Sequence, residues 1–370
     1  MDVEDMLSAL VGFPSVVGTS NQDIADFIRD FLTENGVETQ IIPGPEGDRV
    51  NLFATIGPAD VPGYILSGHL DVVPAAEPEW QADPFTLRRK NGVFTGRGAV
   101  DMKGFVAAVL SVVPRLVDMP LSRPLHIALS YDEEAGCRGV VHLIKRLPSL
   151  CAKPLGCFVG EPSGMCPVLR HKGKAALTLR AKGVSGHSSR PDLGRNAVHT
   201  LLPFLNKAVE LSDLLRRDGA QHAAFEPPYS TLQIGVMNGG QSLNIIPDQA
   251  TAEIEVRAVP SNEPKALLAP LLAMSEASED VVAEIVATYP ALDLDGQSHL
   301  ARLASGLTTN APVEAVSYGT EAGLFQKAGV PAIVCGPGDI RRAHKPEEFI
   351  TRHELQQARH FVLNLARSLT

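Results

Sequence analysis

Three almost continuously apolar runs in this chain break off at charge: YILSGHLD at His69 and Asp71, LHIALSYDEE at Asp132, Glu133 and Glu134, and GCFVGEP at Glu161. An uninterrupted apolar run is the pattern of a strand covered on both faces. Charge at its end is unfavourable to bury unless it is paired or binds a cation. Helical patterns lie between such strands. In 21–35 apolar Ile24, Phe27, Ile28 and Phe31 recur at three- and four-residue steps before Gly36, and 103–117 reads as a buried helix. VETQIIP, NLFATIG and VPAIVCGPG add further strands, and a closing helix starts near Arg352. Strands alternating with helices predict an α/β domain with a mixed, largely parallel sheet. In such sheets ligands bind beyond the carboxyl ends of the strands. Asp101, in GRGAVDMKG, and His344, after the turn CGPG, fall at comparable junctions.

The texture changes after His171. KAALTLRAKG alternates apolar and polar, as a half-exposed antiparallel strand does. A helix over 196–215, strands in STLQIGVMNGG and ATAEIEVRAV, a helix over 264–277 and a final strand VVAEIVATY follow. This order predicts an inserted α+β domain over 172–288, a four-stranded antiparallel sheet with two helices on one face. The α/β domain is then discontinuous, 1–171 and 289–370. A chain of 370 residues is long for one core, so two domains suit its length.

Composition narrows the chemistry. With 33 Lys+Arg against 42 Asp+Glu the formal charge is −9, which argues against a nucleic-acid partner. No apolar run reaches the roughly 20 residues that span a bilayer, so no membrane partner is expected. The start MDVEDMLSAL is acidic where a secretory signal is basic, which predicts a cytoplasmic protein. Cys137, Cys151, Cys157, Cys166 and Cys335 form no C-x-x-C pair, so neither a disulfide framework nor a cysteine metal site is expected. A bound metal must use imidazoles and carboxylates.

Each acidic or imidazole residue has a plain reading of its own. Asp101 could cap a helix, Glu133 and Glu134 could be a solvated pair, and a loop histidine is usually structural. Their joint occurrence at strand ends points to metal chemistry. Zinc accepts imidazole nitrogen and carboxylate oxygen, and two ions about 3.5–4 Å apart form a common hydrolytic pair. Such a pair needs one bridging carboxylate and two terminal ligands per ion, which His69, Asp101, Glu134, Glu161 and His344 can supply. Asp71, two residues beyond His69, shares its face of an extended strand and suits a carboxylate that orients a ligating imidazole. Glu133 is the spare carboxylate, able to take a proton from an attacking water.

In order along the chain, SGHLDVVP, WQADPF, GRGAVDMKG, YDEEAGCRG, GEPSGM, SGHSSRPDLGRNA, GGQSLNIIPDQ and AHKPEEF resemble the motifs of the dinuclear zinc amidohydrolase and exopeptidase family. That family includes acetylornithine deacetylases, succinyl-diaminopimelate desuccinylases, aminoacylases and glutamate-type carboxypeptidases. The resemblance implies two zinc ions per chain, with cobalt able to substitute. It implies His69 and Glu161 on one ion, Glu134 and His344 on the other, Asp101 bridging, and a cis Asp101–Met102 peptide. Glu133 becomes the general base and acid. The inserted domain becomes a lid that mediates a homodimer. His187 becomes a donor to the developing oxyanion, within the subunit or across to its partner, while Asn244 and Arg257 approach the substrate carboxylate. The segment Gly319-Thr320-Glu321-Ala322-Gly323 is similar to the acetylornithine deacetylase pattern, with Glu321 the expected selector of a cationic side chain. The activity implied is release of L-ornithine and acetate from N-acetyl-L-ornithine, a step of arginine biosynthesis. The alternatives are another N-acyl-amino-acid hydrolase, such as a desuccinylase, or a dipeptidase or carboxypeptidase with the same metal site. A non-catalytic binding relative would be expected to lack ligands or base, and none is missing here.

Overall fold

The computed structural model describes residues 1–308 and 310–370, which divide into two units. The first comprises Met1–Arg170, Leu292–Glu314 and Thr320–Thr370. Its centre is a six-stranded sheet in the order Thr39–Pro43, Val50–Ile56, Leu125–Ser130, Tyr64–His69, Gly156–Pro162, Ala332–Gly336. The first two pairings are antiparallel and the remaining three parallel. Every residue of the strands Tyr64–His69, Leu125–Ser130 and Gly156–Pro162 is buried. That is why their sequences run apolar without alternation.

Register decides where these strands end. His69 lies beside Ser130, and the pairing of Ser67 with Val159 brings Glu161 level with His69. The charged residues that interrupt three apolar runs therefore emerge along one edge of one sheet. The helix Lys103–Val117 is buried over most of its length and packs against the helices Val3–Val11 and Arg352–Arg367. Thr351 starts the last of these with a capping box closed by Glu354, which satisfies two otherwise unpaired backbone donors. A small sheet of Arg88–Lys90, Val93–Thr95 and Phe349–Thr351 completes the unit.

The second unit comprises His171–Ala291 and Ala315–Gly319. Its four-stranded sheet is antiparallel throughout, in the order Thr231–Gly239, Gln249–Ala258, Gly173–Lys182, Val281–Tyr289. Ala175, Leu177, Leu179, Ala252, Ile254 and Val256 sit at alternate positions of their strands and build one apolar face. Leu201, Phe204 and Leu205 of the helix Ala197–Asp218 and Leu268 and Leu271 cover that face. Asn196 caps the long helix by accepting from the Val198 and His199 amides.

Two sequence expectations need correction. The stretch 264–277 is a 3-10 turn, Pro264–Leu268, followed by a short helix, Ala269–Glu276, with Pro270 in its first turn, where a missing N–H costs nothing. The segment Ala315–Gly319 packs with the second unit rather than the first. Ser317 donates to the Glu226 carbonyl, and a side chain at Gly319 would meet the Tyr289 ring at 2.4 Å. Among the described residues all five cysteines are free, and no helix is long and apolar enough to cross a membrane.

Candidate functional site

His69 is buried at its strand end, and its ring is fixed from behind. Nδ1 lies 2.9 Å from the backbone carbonyl of Asp71, which places a hydrogen on Nδ1 and aims Nε2 at the cluster. Nε2 stands 3.1 Å from Asp101 Oδ1 and 3.6 Å from Glu161 Oε1. His344 is the counterpart on the other side, with Nε2 2.9 Å from Glu134 Oε1 and 3.2 Å from Asp101 Oδ2. Asp101 thus offers one oxygen to each histidine. The Asp101–Met102 peptide is cis, and Met102, not Asp101, occupies the N-cap of the following helix. The carboxylate is not spent on a cap.

The donor set fits a pair of divalent ions. Two ligand atoms about 2.0–2.1 Å from one tetrahedral ion lie about 3.3 Å apart, and the four cross-distances straddle that value. Ligand atoms of His69, Asp101 and Glu134, and of His69, Glu133 and Glu161, gather within 4.8 Å of one another. The cluster also attracts positive charge. Hydrogen bonds to Asp101 and Glu134 push His344 up to about 10. Burial, followed by the Asp101 charge, holds Glu161 well above the usual carboxylate range, and both raise Glu134. Cations between these groups offset that repulsion.

Asp71 works through two different parts. Its carbonyl orients His69, while its carboxylate, with Oδ1 3.6 Å from His69 Nδ1, accepts the backbone N–H groups of Glu133 (3.0 Å) and Glu134 (3.1 Å). The acidic turn is therefore hung from the same residue that fixes the first imidazole. Glu133 is half-buried, and the Cys137 thiol donates to its Oε1 at 3.4 Å. Burial pushes Glu133 up to about 8, with Glu134, Asp71 and Asp101 adding to the shift against the pull of His69. Cations held by Glu134 and Asp101 would act against this rise.

Glu321 requires a correction. It is fully buried, and its oxygens accept from Ser67 Oγ (2.6 Å) and Ser130 Oγ (2.8 Å) on adjacent parallel strands. A carboxylate so enclosed beneath the strand ends has no free face for a cationic side chain. Sequence reasoning also missed Glu348 and Arg97. Glu348 accepts from the Arg97 guanidinium and from the backbone amides of Gly98, Val100 and Asp101. The signal was present in AHKPEEF, where a second acidic residue follows close upon the histidine.

In the second unit His187 is exposed, on a segment bridged to Ile245, and its Nδ1 accepts from the Ser189 amide. The neutral ring then carries its hydrogen on Nε2. Asn244 is exposed too, its side chain accepting from Ser242 Oγ. Arg257 donates to Glu255 through Nε (2.6 Å) and to the Tyr289 hydroxyl (3.1 Å).

Known proteins resemble this chain over nearly its whole length. An acetylornithine deacetylase from Pasteurella multocida (strain Pm70) is 33% identical, the match covering 97% of this chain and 96% of that one. The acetylornithine deacetylase of Shigella sonnei (strain Ss046) is 32% identical over 98% of this chain and 96% of its own. Among solved structures, an M20 family metallo-carboxypeptidase from Sulfolobus solfataricus superposes with a TM-score of 0.81 at 20% identity, covering 99% of each chain. The profile of peptidase family M20/M25/M40 matches residues 65–368. The chain belongs to that family and is a hydrolase acting on amide bonds.

Proposed function

We propose that the protein hydrolyses an N-acyl amino acid, with N-acetyl-L-ornithine the first candidate, to give L-ornithine and acetate. The observation that carries the reading is the division of Asp101, one oxygen toward His69 and the other toward His344. His69 and Glu161 would hold one ion, Glu134 and His344 the second, and Asp101 would bridge. Zinc, with cobalt as a substitute, would supply Lewis acidity to the scissile carbonyl and to water. Glu133 takes the proton of the attacking water and passes it to the departing amine, so that one amide and one water give one acid and one amine. Asp71 keeps His69 and the acidic turn in position. His187 Nε2 donates to the oxygen that gains charge, while Asn244 and Arg257 receive the substrate carboxylate, Arg257 exchanging Glu255 for it. The two relatives at 32–33% identity support acetylornithine over a peptide.

The same reading assigns 172–288 as a lid and dimerisation domain, a cytoplasmic location and a place in arginine biosynthesis. A homodimer is supported by the exposed edge strand Thr231–Gly239, which carries Val236 and Met237 bare of cover. Zinc-loaded protein assayed against N-acetylornithine, succinyl-diaminopimelate, other N-acyl amino acids and dipeptides tests the substrate. The expected result is the highest kcat/KM for N-acetylornithine. A higher value for a dipeptide or for the succinyl substrate would overturn the assignment and leave the amide hydrolase intact.

A further inference from the structure

Arg97 and Glu348 form a buried ion pair, each within 2% of full burial, 3.0 Å apart and 251 residues apart in sequence. Pairs of this kind are weak evidence for stability, because desolvation opposes the attraction. Their contacts identify what they hold. Glu348 Oε1 accepts from the amides of Val100 (2.9 Å) and Asp101 (3.1 Å), and Oε2 from the Gly98 amide (3.1 Å) and Arg97. Arg97 also donates to the carbonyls of Lys345 (3.3 Å) and Pro74 (3.1 Å) and to Glu77 (3.0 Å), with the single tryptophan, Trp80, 5.2 Å over its guanidinium. Lys345 adjoins His344, and Glu348 lies four residues beyond it. The segment bearing His344 and the segment bearing Asp101 are therefore sewn together by the side chain of one and the backbone of the other.

We infer that Glu348, locked by Arg97, is a positioning residue that sets Asp101 against His344 in advance of metal and so governs retention of the ion those two residues share with Glu134. Three amides converging on one carboxylate fix the path of Gly98–Asp101, and with it the side at which Asp101 Oδ2 meets His344 Nε2, 3.2 Å away. Partners of ligands outside the coordination sphere commonly change metal affinity ten- to a hundredfold. The inference rests on the two-ion reading of the site.

The test is metal content at fixed free zinc, with stepwise titration, for the wild-type chain, Glu348→Gln, Glu348→Asp and Arg97→Lys. Whichever way the introduced amide turns, its NH2 faces two donors, so Glu348→Gln cannot preserve the clamp. Wild type is expected to hold two ions per chain. Glu348→Gln is expected to bind one of them ten- to a hundredfold more weakly, with the other changed less than threefold. Glu348→Asp, which keeps the charge, should recover part of the loss. Affinities unchanged in Glu348→Gln, or weakened equally for both ions, overturn the inference. Should Glu348→Gln fail to fold, Arg97→Lys decides: selective weakening of one ion supports the clamp, and unchanged binding assigns the pair to the fold alone. A wild-type chain that binds no second ion would instead overturn the two-ion reading itself.

Discussion

The cluster around Asp101 and the strand-loop around His187 are built on opposite plans. In the first, His69, Asp71, Asp101 and Glu161 are buried, His344 alone is exposed, and the backbone is held from behind: His69 by the Asp71 carbonyl, the acidic turn by the Asp71 carboxylate, and the Asp101 amide by Glu348. In the second, His187 and Asn244 are exposed, and the hydrogen bonds described for their side chains go to near neighbours in sequence, Ser189 and Ser242. Groups that bind a cation gain from rigid placement before the cation arrives. Groups that meet a substrate need only a defined donor and freedom to approach it. The contrast implies that damage in the first region acts through metal content and stability, whereas damage in the second acts through turnover alone.

The sharpest way to break the contrast is Glu133→Gln, which lies in the rigid region yet holds no backbone. Turnover should fall by about 10²–10⁴ while two metals per chain remain, read by metal analysis beside kcat; metal loss would move Glu133 among the ligands. His187→Ala should lower kcat by about 10²–10³ and leave the unfolding free energy from urea titration within about 0.5 kcal/mol of wild type, as an exposed side chain should. A large stability loss would show that the second region is as constrained as the first. Asp71→Asn turns an NH2 toward the Glu133 or Glu134 amide and should weaken metal binding about ten- to a hundredfold, measured by zinc titration.

A further effect, expressed only in acid, comes from two buried histidines, one in each unit. Burial pushes both His126 and His171 down to about 4, where an unfolded histidine stands near 6.5. The unfolded chain therefore binds more protons between these values. Their contribution is intact above pH 6.5, erodes as pH falls toward 4, and reaches about 3 kcal/mol each at most. Urea unfolding at pH 7.5 and 4.5 should show this loss, and His126→Leu should reduce it. An unaltered pH dependence in that variant would mean that His126 is not neutral in the fold.

Much of the architecture was legible because it rests on local pattern. The unbroken apolar runs ending at His69, Glu133 and Glu161 marked both the buried parallel strands and the edge where they meet, and alternation in 174–183 marked the antiparallel sheet. What stayed hidden depends on atoms that sequence does not display. Asp71 was read as a carboxylate facing a histidine, yet its carbonyl does the orienting and its carboxylate serves two amides. Glu321 was expected to meet a cationic side chain because its segment is similar to the acetylornithine deacetylase pattern, but Ser67 and Ser130, 254 and 191 positions earlier, enclose it. Arg97 and Glu348 are as remote from each other, and no period or spacing links them. The helix Val3–Val11 and the small sheet completed by Phe349–Thr351 were not read because each is short and stabilised by distant packing.

The first unit is interrupted by the second, and this has a consequence for synthesis. A chain growing from its N terminus presents His69, Asp101, Glu134 and Glu161 early, then makes the whole inserted sheet before His344 and Glu348 exist. The strand Ala332–Gly336, which closes one edge of the six-stranded sheet, arrives in the same late stretch. A nascent chain halted between Glu161 and that point carries an acidic cluster without its second imidazole or its clamp. Completion of the central sheet and completion of the cluster thus fall on the same last stretch of translation.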